Sequence, residues 1–570
     1  MSQRYGRRTA GAGKVLLGLL FIVFFLLGAC CLLIAVLGAI LPEESKVSEI
    51  KLPSGTLKIA YSPEKEELFR ELTKGFNARK EKSTDGQPIT IEAILMDPEA
   101  MVSAALNGEL DALTPDSSLW LDQLDRAWQE KAGSELPLVG ETVRYAVSPV
   151  VIAMWEDVAR ALGYPEKSLG WEDIITKAKS DPDFRWSHPS TASASGILAT
   201  LAEFYAGAGK SRGLTIEDVQ RDATLQYVAA IEKTVRYYGE GEWAVIKRAL
   251  EEGRAYLDAF VVQEQLVIYF NRRSLGLKPQ ERDKLVAIYP REGTLWEDHP
   301  LALLERPELS PEKRLAFRRF QSYLRSEEIQ RLILSYGYRP ADLSISLDGP
   351  DSPITRENGA NPSEPQTTLQ IPNLAVVDVV RDVWWYTKRH TNVYLVADIS
   401  GSMEGEKLAE AQNALRIFLG QIKGDMERVG LITFSTDVYD TVPLDELKRN
   451  RQVLEKEVDS LRVRESTALL DAVDLAYNRL QALRDSERIN AIVVMTDGLE
   501  NASRISLMEL SFKIQFGNKK GVPVVIFCLG YGDDADYNTL RAIAEASGGQ
   551  VRRGDLETIG QLYKIMSTYF

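Results

Sequence analysis

Val393-Tyr394-Leu395-Val396-Ala397-Asp398-Ile399-Ser400-Gly401-Ser402 decides the fold of the last third of this 570-residue chain. The uncharged run Val393 to Ala397 lacks polar alternation, which fits a strand covered on both faces, as in a parallel sheet. Ile489 to Met495 (Asn490 excepted) and Val522 to Leu529 repeat the pattern, and Val429 to Phe434 comes close to it. Between these runs apolar residues take helical spacing. Leu408, Ala411, Leu415, Phe418, Leu419 and Ile422 form one stripe, and Leu469, Leu470, Val473, Ala476 and Leu480 another. This alternation predicts a doubly wound parallel sheet over residues 391–570. Functional groups in such sheets gather at the carboxyl ends of the strands. Asp398 and Asp497 both close strand runs, so both are expected at that edge.

Asp398, Ser400, Ser402, Thr467 and Asp497 lie on three predicted loops at one predicted edge and offer only oxygen. Hard cations such as Mg²⁺ prefer oxygen donors in near-octahedral geometry and retain waters. Neutral hydroxyls leave such a charge poorly neutralised, so a carboxylate from outside is drawn in. A plainer reading stands beside this one. Asp, Ser and Gly after a strand are ordinary turn and N-cap residues, and Thr467 would cap a helix starting at Ala468.

With these five positions filled, residues 391–570 resemble a von Willebrand factor A domain with a complete metal-ion-dependent adhesion site. The resemblance implies that Ser400, Ser402 and Thr467 contact the metal directly, while Asp398 and Asp497 act largely through bound waters. It further implies Mg²⁺, with Mn²⁺ or Ca²⁺ as substitutes, and an open position for an acidic group of a partner.

Residues 55–341 alternate strand-like and helix-like runs, beginning with Leu57 to Tyr61, then Ser62-Pro63 as N-cap and first residue of a helix from Glu64 to Phe76. Ile89 to Leu95 is another strand, and Val150 to Trp155 and Tyr256 to Tyr269 are apolar enough to be buried. The stretch resembles the extracellular solute-binding proteins of bacterial ABC-type uptake systems. The resemblance rests on Leu57 to Ser62, Gly108 to Leu113, Asp181-Pro182, Ser190 to Gly196 and Tyr336 to Pro340. It implies two α/β lobes closing on a ligand. Candidate ligand groups are then Ser62, Ser117, Ser118, Ser190, Thr191, Ser193 and Ser195, several just before helix-like runs, where free amides suit an anion or small polar solute. Ser and Thr are equally the usual helix caps. Gln263 and Glu264 are further candidates, with a structural role for the acid as the alternative. Residues 342–372, rich in Asp, Ser, Pro, Asn and Gly, read as a linker or extended crossing segment. Residues 373–390 read as a connecting helix with Val376, Val380, Val383 and Trp384 on one face.

Val15 to Leu41 is 27 residues without a charge. As a helix it is roughly 40 Å long, enough to span a ~30 Å hydrocarbon layer with tilt. Arg4, Arg7, Arg8 and Lys14 precede it and Glu43 and Glu44 follow, which predicts a cytoplasmic tail (1–14), a plasma-membrane anchor (15–41), a tether (42–54) and an extracytoplasmic body. A cleaved signal is the alternative, or a lipoprotein signal at Leu27-Gly28-Ala29-Cys30, although the apolar run continues eleven residues past Cys30.

Composition excludes several classes. Removing the four basic residues of the tail from the total of 68 leaves 64 against 82 acidic, or −18, which argues against nucleic acid. Three cysteines give no disulfide framework, and the three histidines are far apart with no HExxH, so a zinc site of the usual kind is not expected. Gly207-Ala208-Gly209-Lys210-Ser211 looks like the end of a P-loop, but Phe204 stands where the earlier glycine belongs. No nucleophile motif supports an enzyme. The expectation is a non-catalytic, membrane-anchored protein that binds an acidic partner through a divalent cation. The alternative is small-solute sensing or uptake through the middle domain.

Overall fold

The computed structural model describes residues 55–570 apart from 84, 240, 274–282, 533–534, 556–559, 561–562, 564–565, 568 and 570. The expected anchor at 15–41, with its tail and tether, lies outside the described residues. Among the described residues no helix is long and apolar enough to cross a membrane.

The strands in chain order are β1 (Gly55–Tyr61), β2 (Ile89–Leu95), β3 (Ala112–Thr114), β4 (Val139–Arg144), β5 (Ala146–Trp155), β6 (Trp186–Ser187), β7 (Ala259–Gln263), β8 (Leu285–Ile288), β9 (Trp296–Glu297), β10 (Pro300–Leu304) and β11 (Arg339–Pro340). They form two sheets. Lobe one has the order β2-β1-β3-β10-β4, and lobe two has β11-β5-β7-β6 with β8 and β9 also pairing onto β5. The chain passes between lobes at Tyr145, at 298–299 and at 336–338. All three crossings are packed: Tyr145 accepts or donates a 2.9 Å bond with Thr114, and the rings of His299 and Tyr338 meet edge-on at 4.9 Å. His299 sits at φ 34, a conformation that costs a residue with a side chain about 1–3 kcal/mol.

Residues 342–370 do not hang free. Ile345, Ile354 and Ala360 are buried against Ile268 and Leu334, and Thr294 donates its N–H to Thr367 O and accepts from Leu369 N–H of the segment. The composition that reads as a linker is also that of an extended strap whose turns are capped locally by Asp342, Ser352 and Asn361.

The connecting helix Leu374–Thr387, capped by Asn373, buries Val376, Val380 and Trp384 on the lobe-two helices Ala194–Ala208, Ile216–Gln220 and Asp222–Glu232. Each such side chain is worth roughly 1.5–3 kcal/mol when fully buried. Trp384 Nε1 also donates to Glu232 at 2.7 Å. Just beyond, Arg389 donates to Val235 O of lobe two at 2.8 Å and to Ser486 O, in the loop before the C-terminal strand Ile489–Thr496, at 2.7 Å. Lobe two, the connecting helix and one face of the C-terminal sheet thereby share a single continuous core.

That third sheet carries β12 (Thr391–Asp398), β13 (Arg428–Phe434), β14 (Val438–Glu446), β15 (Ile489–Thr496), β16 (Val524–Tyr531) and β17 (Val551–Gly554) in the order β14-β13-β12-β15-β16-β17. All neighbours are parallel except β14, which pairs antiparallel with β13. The period of two sends Val393, Leu395 and Ala397 into the shared core and Tyr394 and Val396 into a second core under the helix Leu469–Leu483. Strand order reverses between β12 and β15, so their carboxyl ends flank the topological switch point.

Candidate functional sites

Asp398 is the last residue of β12 and Asp497 the first after β15, so the switch point sets two buried carboxylates at one edge. Ser400 N–H donates to Asp398 Oδ1 at 2.7 Å, which turns the loop so that its hydroxyls face β15. Ser400 Oγ and Ser402 Oγ are 3.0 Å apart, and Ser402 donates to Asp497 Oδ1 at 2.6 Å. Thr496 donates to the other Asp398 oxygen. A Cβ at Gly498 would meet Thr467 Oγ1 at 3.2 Å and Ser402 Oγ at 3.4 Å, so these two hydroxyls converge on a position only glycine leaves open. All five sequence-derived residues therefore gather at one place.

Thr467 is not a cap. The helix begins at Leu469, and its N-cap, Ala468, makes no side-chain cap bond. Asn501 instead holds Thr467 N–H at 3.0 Å, and Glu500 receives Leu470 N–H at 3.0 Å. Burial raises the Asp398 carboxyl to about 6 despite the donors from Ser400 and Thr496. A buried acid held up in this way gains from any nearby cation. One cation is built in: Lys407 pairs with Asp497 Oδ2. For a six-coordinate Mg²⁺ with bonds near 2.0–2.1 Å, neighbouring oxygens stand about 2.9 Å apart. The Ser400–Ser402 spacing matches that edge, so the donor set fits a hard cation.

The candidates of the middle domain divide. Ser193 caps the helix Ala194–Ala208 through Gly196 N–H at 3.1 Å, and Ser190 accepts from Ala192 N–H at 3.3 Å. Ser117 accepts from Leu119 N–H at 3.3 Å, and Ser118 presents its backbone N–H to Asp298 at 2.7 Å. Thr191 is buried, and the buried Ser195 hydroxyl has no partner. Ser62 stands at the N-cap position before Pro63, as expected, but its hydroxyl makes no cap bond and donates to Glu64 at 2.6 Å. Glu264 is structural, held by both Arg339 nitrogens and by Tyr289.

Gln263 leads to a group the sequence reading missed. Its amide donates to Glu242 and, at 2.7 Å, to Glu297, while its oxygen accepts from His299 Nε2 at 3.0 Å. Glu64, Lys65 and Asp116 complete this buried interior between the lobes. Burial, with Glu64 adding to it, pushes Asp116 to about 7 and Glu242 to about 8, and burial with the neighbouring acids pushes Glu297 well up. Burial and Lys65 hold His299 well below its ordinary value, hence neutral. Asp116 Oδ1, Glu297 Oε1 and His299 Nδ1 have no hydrogen-bond partner. The available signal was the run Glu297-Asp298-His299 between two apolar strands, in a chain with only three histidines.

Residues 392–564 match the family described as von Willebrand factor type A domain, and residues 57–339 match the bacterial extracellular solute-binding protein family. Among curated proteins the chain is similar to inter-alpha-trypsin inhibitor heavy chain H3 of Mus musculus, at 27% identity over 28% of this chain and 19% of that one. The Bos taurus heavy chain H3 is 30% identical over the same shares, 28% and 19%. The chain thus spans about a fifth (19%) of the length of these relatives. Among solved structures it is similar to a von Willebrand factor type A protein from Catenulispora acidiphila (22% identity, 32% of this chain, 43% of that one, TM-score 0.29). It is also similar to the sulfate-binding protein SubI from Mycobacterium tuberculosis H37Rv (16% identity, 51% and 89%, TM-score 0.36). One polypeptide therefore joins a solute-binding-type α/β domain to a von Willebrand A-type domain.

Proposed function

We propose that this protein is a non-catalytic, membrane-anchored, extracytoplasmic binding protein that captures an acidic group of a partner through a divalent cation. Asp398, Ser400, Ser402, Thr467 and Asp497 would hold the cation, Mg²⁺ with Mn²⁺ or Ca²⁺ as substitutes. The observation that carries the reading is the convergence of the three hydroxyls and two carboxylates at the switch point of one sheet. A dication held largely by neutral hydroxyls keeps enough charge to favour an incoming carboxylate over water. The anchor at 15–41 rests on its length and flanking charges. The test is capture of an acidic protein ligand by the intact chain with and without EDTA, beside Asp398→Ala. Capture that survives both the chelator and the substitution sinks the reading.

A second reading, small-solute sensing or uptake by the two lobes, is favoured by the interlobe interior. Its unpartnered Asp116, Glu297 and His299 atoms sit among a surplus of acids, which suits a cationic solute better than an anion. Thermal-shift screening of the intact chain against polyamines, basic amino acids and oxyanions tests it. A shift with oxyanions alone reverses the preferred charge, and no shift with any class removes the reading.

A further inference from the structure

We propose that His188, Glu203 and Glu232 form a second, buried metal site, selective for a zinc-class dication, at the seam between lobe two and the connecting helix. One ligand atom from each of the three lies within 4.8 Å of the others, and all three side chains are fully buried.

The geometry of His188 is that of a ligand whose tautomer has been set. Its Nδ1 lies 2.8 Å from Pro189 O, an acceptor only, which places a proton on Nδ1 and turns Nε2 toward the two carboxylates. A histidine ligand is commonly oriented by such a bond from its other ring nitrogen. Nε2 meets Glu232 Oε2 at 3.3 Å and Glu203 Oε1 at 3.9 Å. In tetrahedral coordination with bonds of 2.0–2.2 Å, neighbouring ligand atoms stand about 3.4 Å apart. The observed spacings bracket that edge.

The second observation is Glu203. It is 0 % exposed, and neither carboxylate oxygen has a hydrogen-bond partner. Glu232, by contrast, is oriented from outside, by Tyr238 Oη at 2.6 Å and Trp384 Nε1 at 2.7 Å. Trp186 and Tyr238 wall the imidazole. Two acids and a ring nitrogen meet at one point, an arrangement relieved either by a cation or by a proton shared between the carboxyls. Lys388, a buried ammonium, pairs with Glu427 at 3.0 Å and also interacts with the Glu232 charge. One imidazole with two carboxylates favours zinc over Mg²⁺ or Ca²⁺, which take all-oxygen shells. Because the cluster is sealed, loading accompanies folding. The metal would fix Glu232, and through Trp384 the helix that joins the two domains.

The experiment is metal analysis of the intact chain purified from zinc-supplemented culture, beside Asp398→Ala, Glu203→Gln and the milder Glu203→Asp. Each is also refolded with Co²⁺ to read the d–d absorption of tetrahedral nitrogen and oxygen ligation. About one zinc per chain is expected in wild type and Asp398→Ala, with the cobalt bands present in both and lost in Glu203→Gln. Zinc that disappears in Asp398→Ala lies at the sheet edge and overturns the proposal. So does folded wild type that holds less than about a tenth of an equivalent and shows no cobalt bands, for which the two carboxyls share a proton instead. A Glu203→Gln variant that fails to fold leaves the decision with wild type and Glu203→Asp, where a shifted cobalt spectrum supports direct ligation and an unchanged one overturns it.

Discussion

Lys407 places its ammonium on Oδ2 of Asp497, while Ser402 holds Oδ1 of the same carboxylate at 2.6 Å. The lysine comes from the first turn of the helix Glu406–Gln421 and is about one-third exposed. It neutralises Asp497 and opposes any second cation there. Lys407→Met is expected to tighten Mg²⁺ binding about three- to tenfold, the scale of one partly screened charge. Calorimetric titration checks it. Weaker binding in the variant would instead assign Lys407 to orienting Asp497.

Thr467 lies at the same edge without capping the helix behind it. Thr467→Val is expected to abolish Mg²⁺ binding while shifting stability by less than about 0.5 kcal/mol, whereas loss of a true cap costs about 1 kcal/mol. Thr467→Ser is expected to retain binding. Denaturant titration beside calorimetry separates the two roles, and a Val variant that binds Mg²⁺ normally removes Thr467 from the donor set.

The acids between the lobes set a pH dependence. Asp116 and Glu242 are raised to about 7 and about 8 in the fold, against 3.8 and 4.5 as their ordinary values. From about pH 4 to 8 the folded protein holds protons that the unfolded chain has released, so stability falls as pH rises through that window. Glu242→Gln is expected to flatten the decline of Tm between pH 5 and 8. Identical slopes in variant and wild type would show that Glu242 does not hold its proton.

The shared core makes unfolding of lobe two and the A-type sheet one event. Trp384→Phe keeps an aromatic side chain but removes the indole donor to Glu232 and part of the buried ring, at a cost of at least about 1–3 kcal/mol. Calorimetry is expected to show the transition containing both elements moving down as a unit. Two transitions, only one of which moves, would refute the coupling.

The parallel sheet and the edge that carries Asp398 and Asp497 were legible because β12 and β15 are buried on both faces and read as unbroken apolar runs. β14 was not, since only Val442 and Glu446 along it are buried and it carries Asp440, Asp445 and Glu446, as an edge strand allows. The hydroxyls at 190–195 read equally as caps and as ligands, and Ser193 proved a cap while Ser195 stayed unpartnered. Glu64, Asp116 and Glu242 are brought to the Glu297–His299 crossing from separate segments. Nothing in their local spacing announces that meeting, any more than it announces Glu203 beside His188.

Arg389 and Asp398 stand at opposite ends of one short stretch of extended chain, about 30 Å long at the usual rise per residue. A pull on whatever the sheet edge grips therefore loads β12 in shear against β13 and β15 and arrives directly at Arg389 and Trp384. No slack segment intervenes between the sheet edge and Trp384 to pay out first, so this stretch would bear tension as a stiff strut, and its yield point would be set by the seam around Glu232.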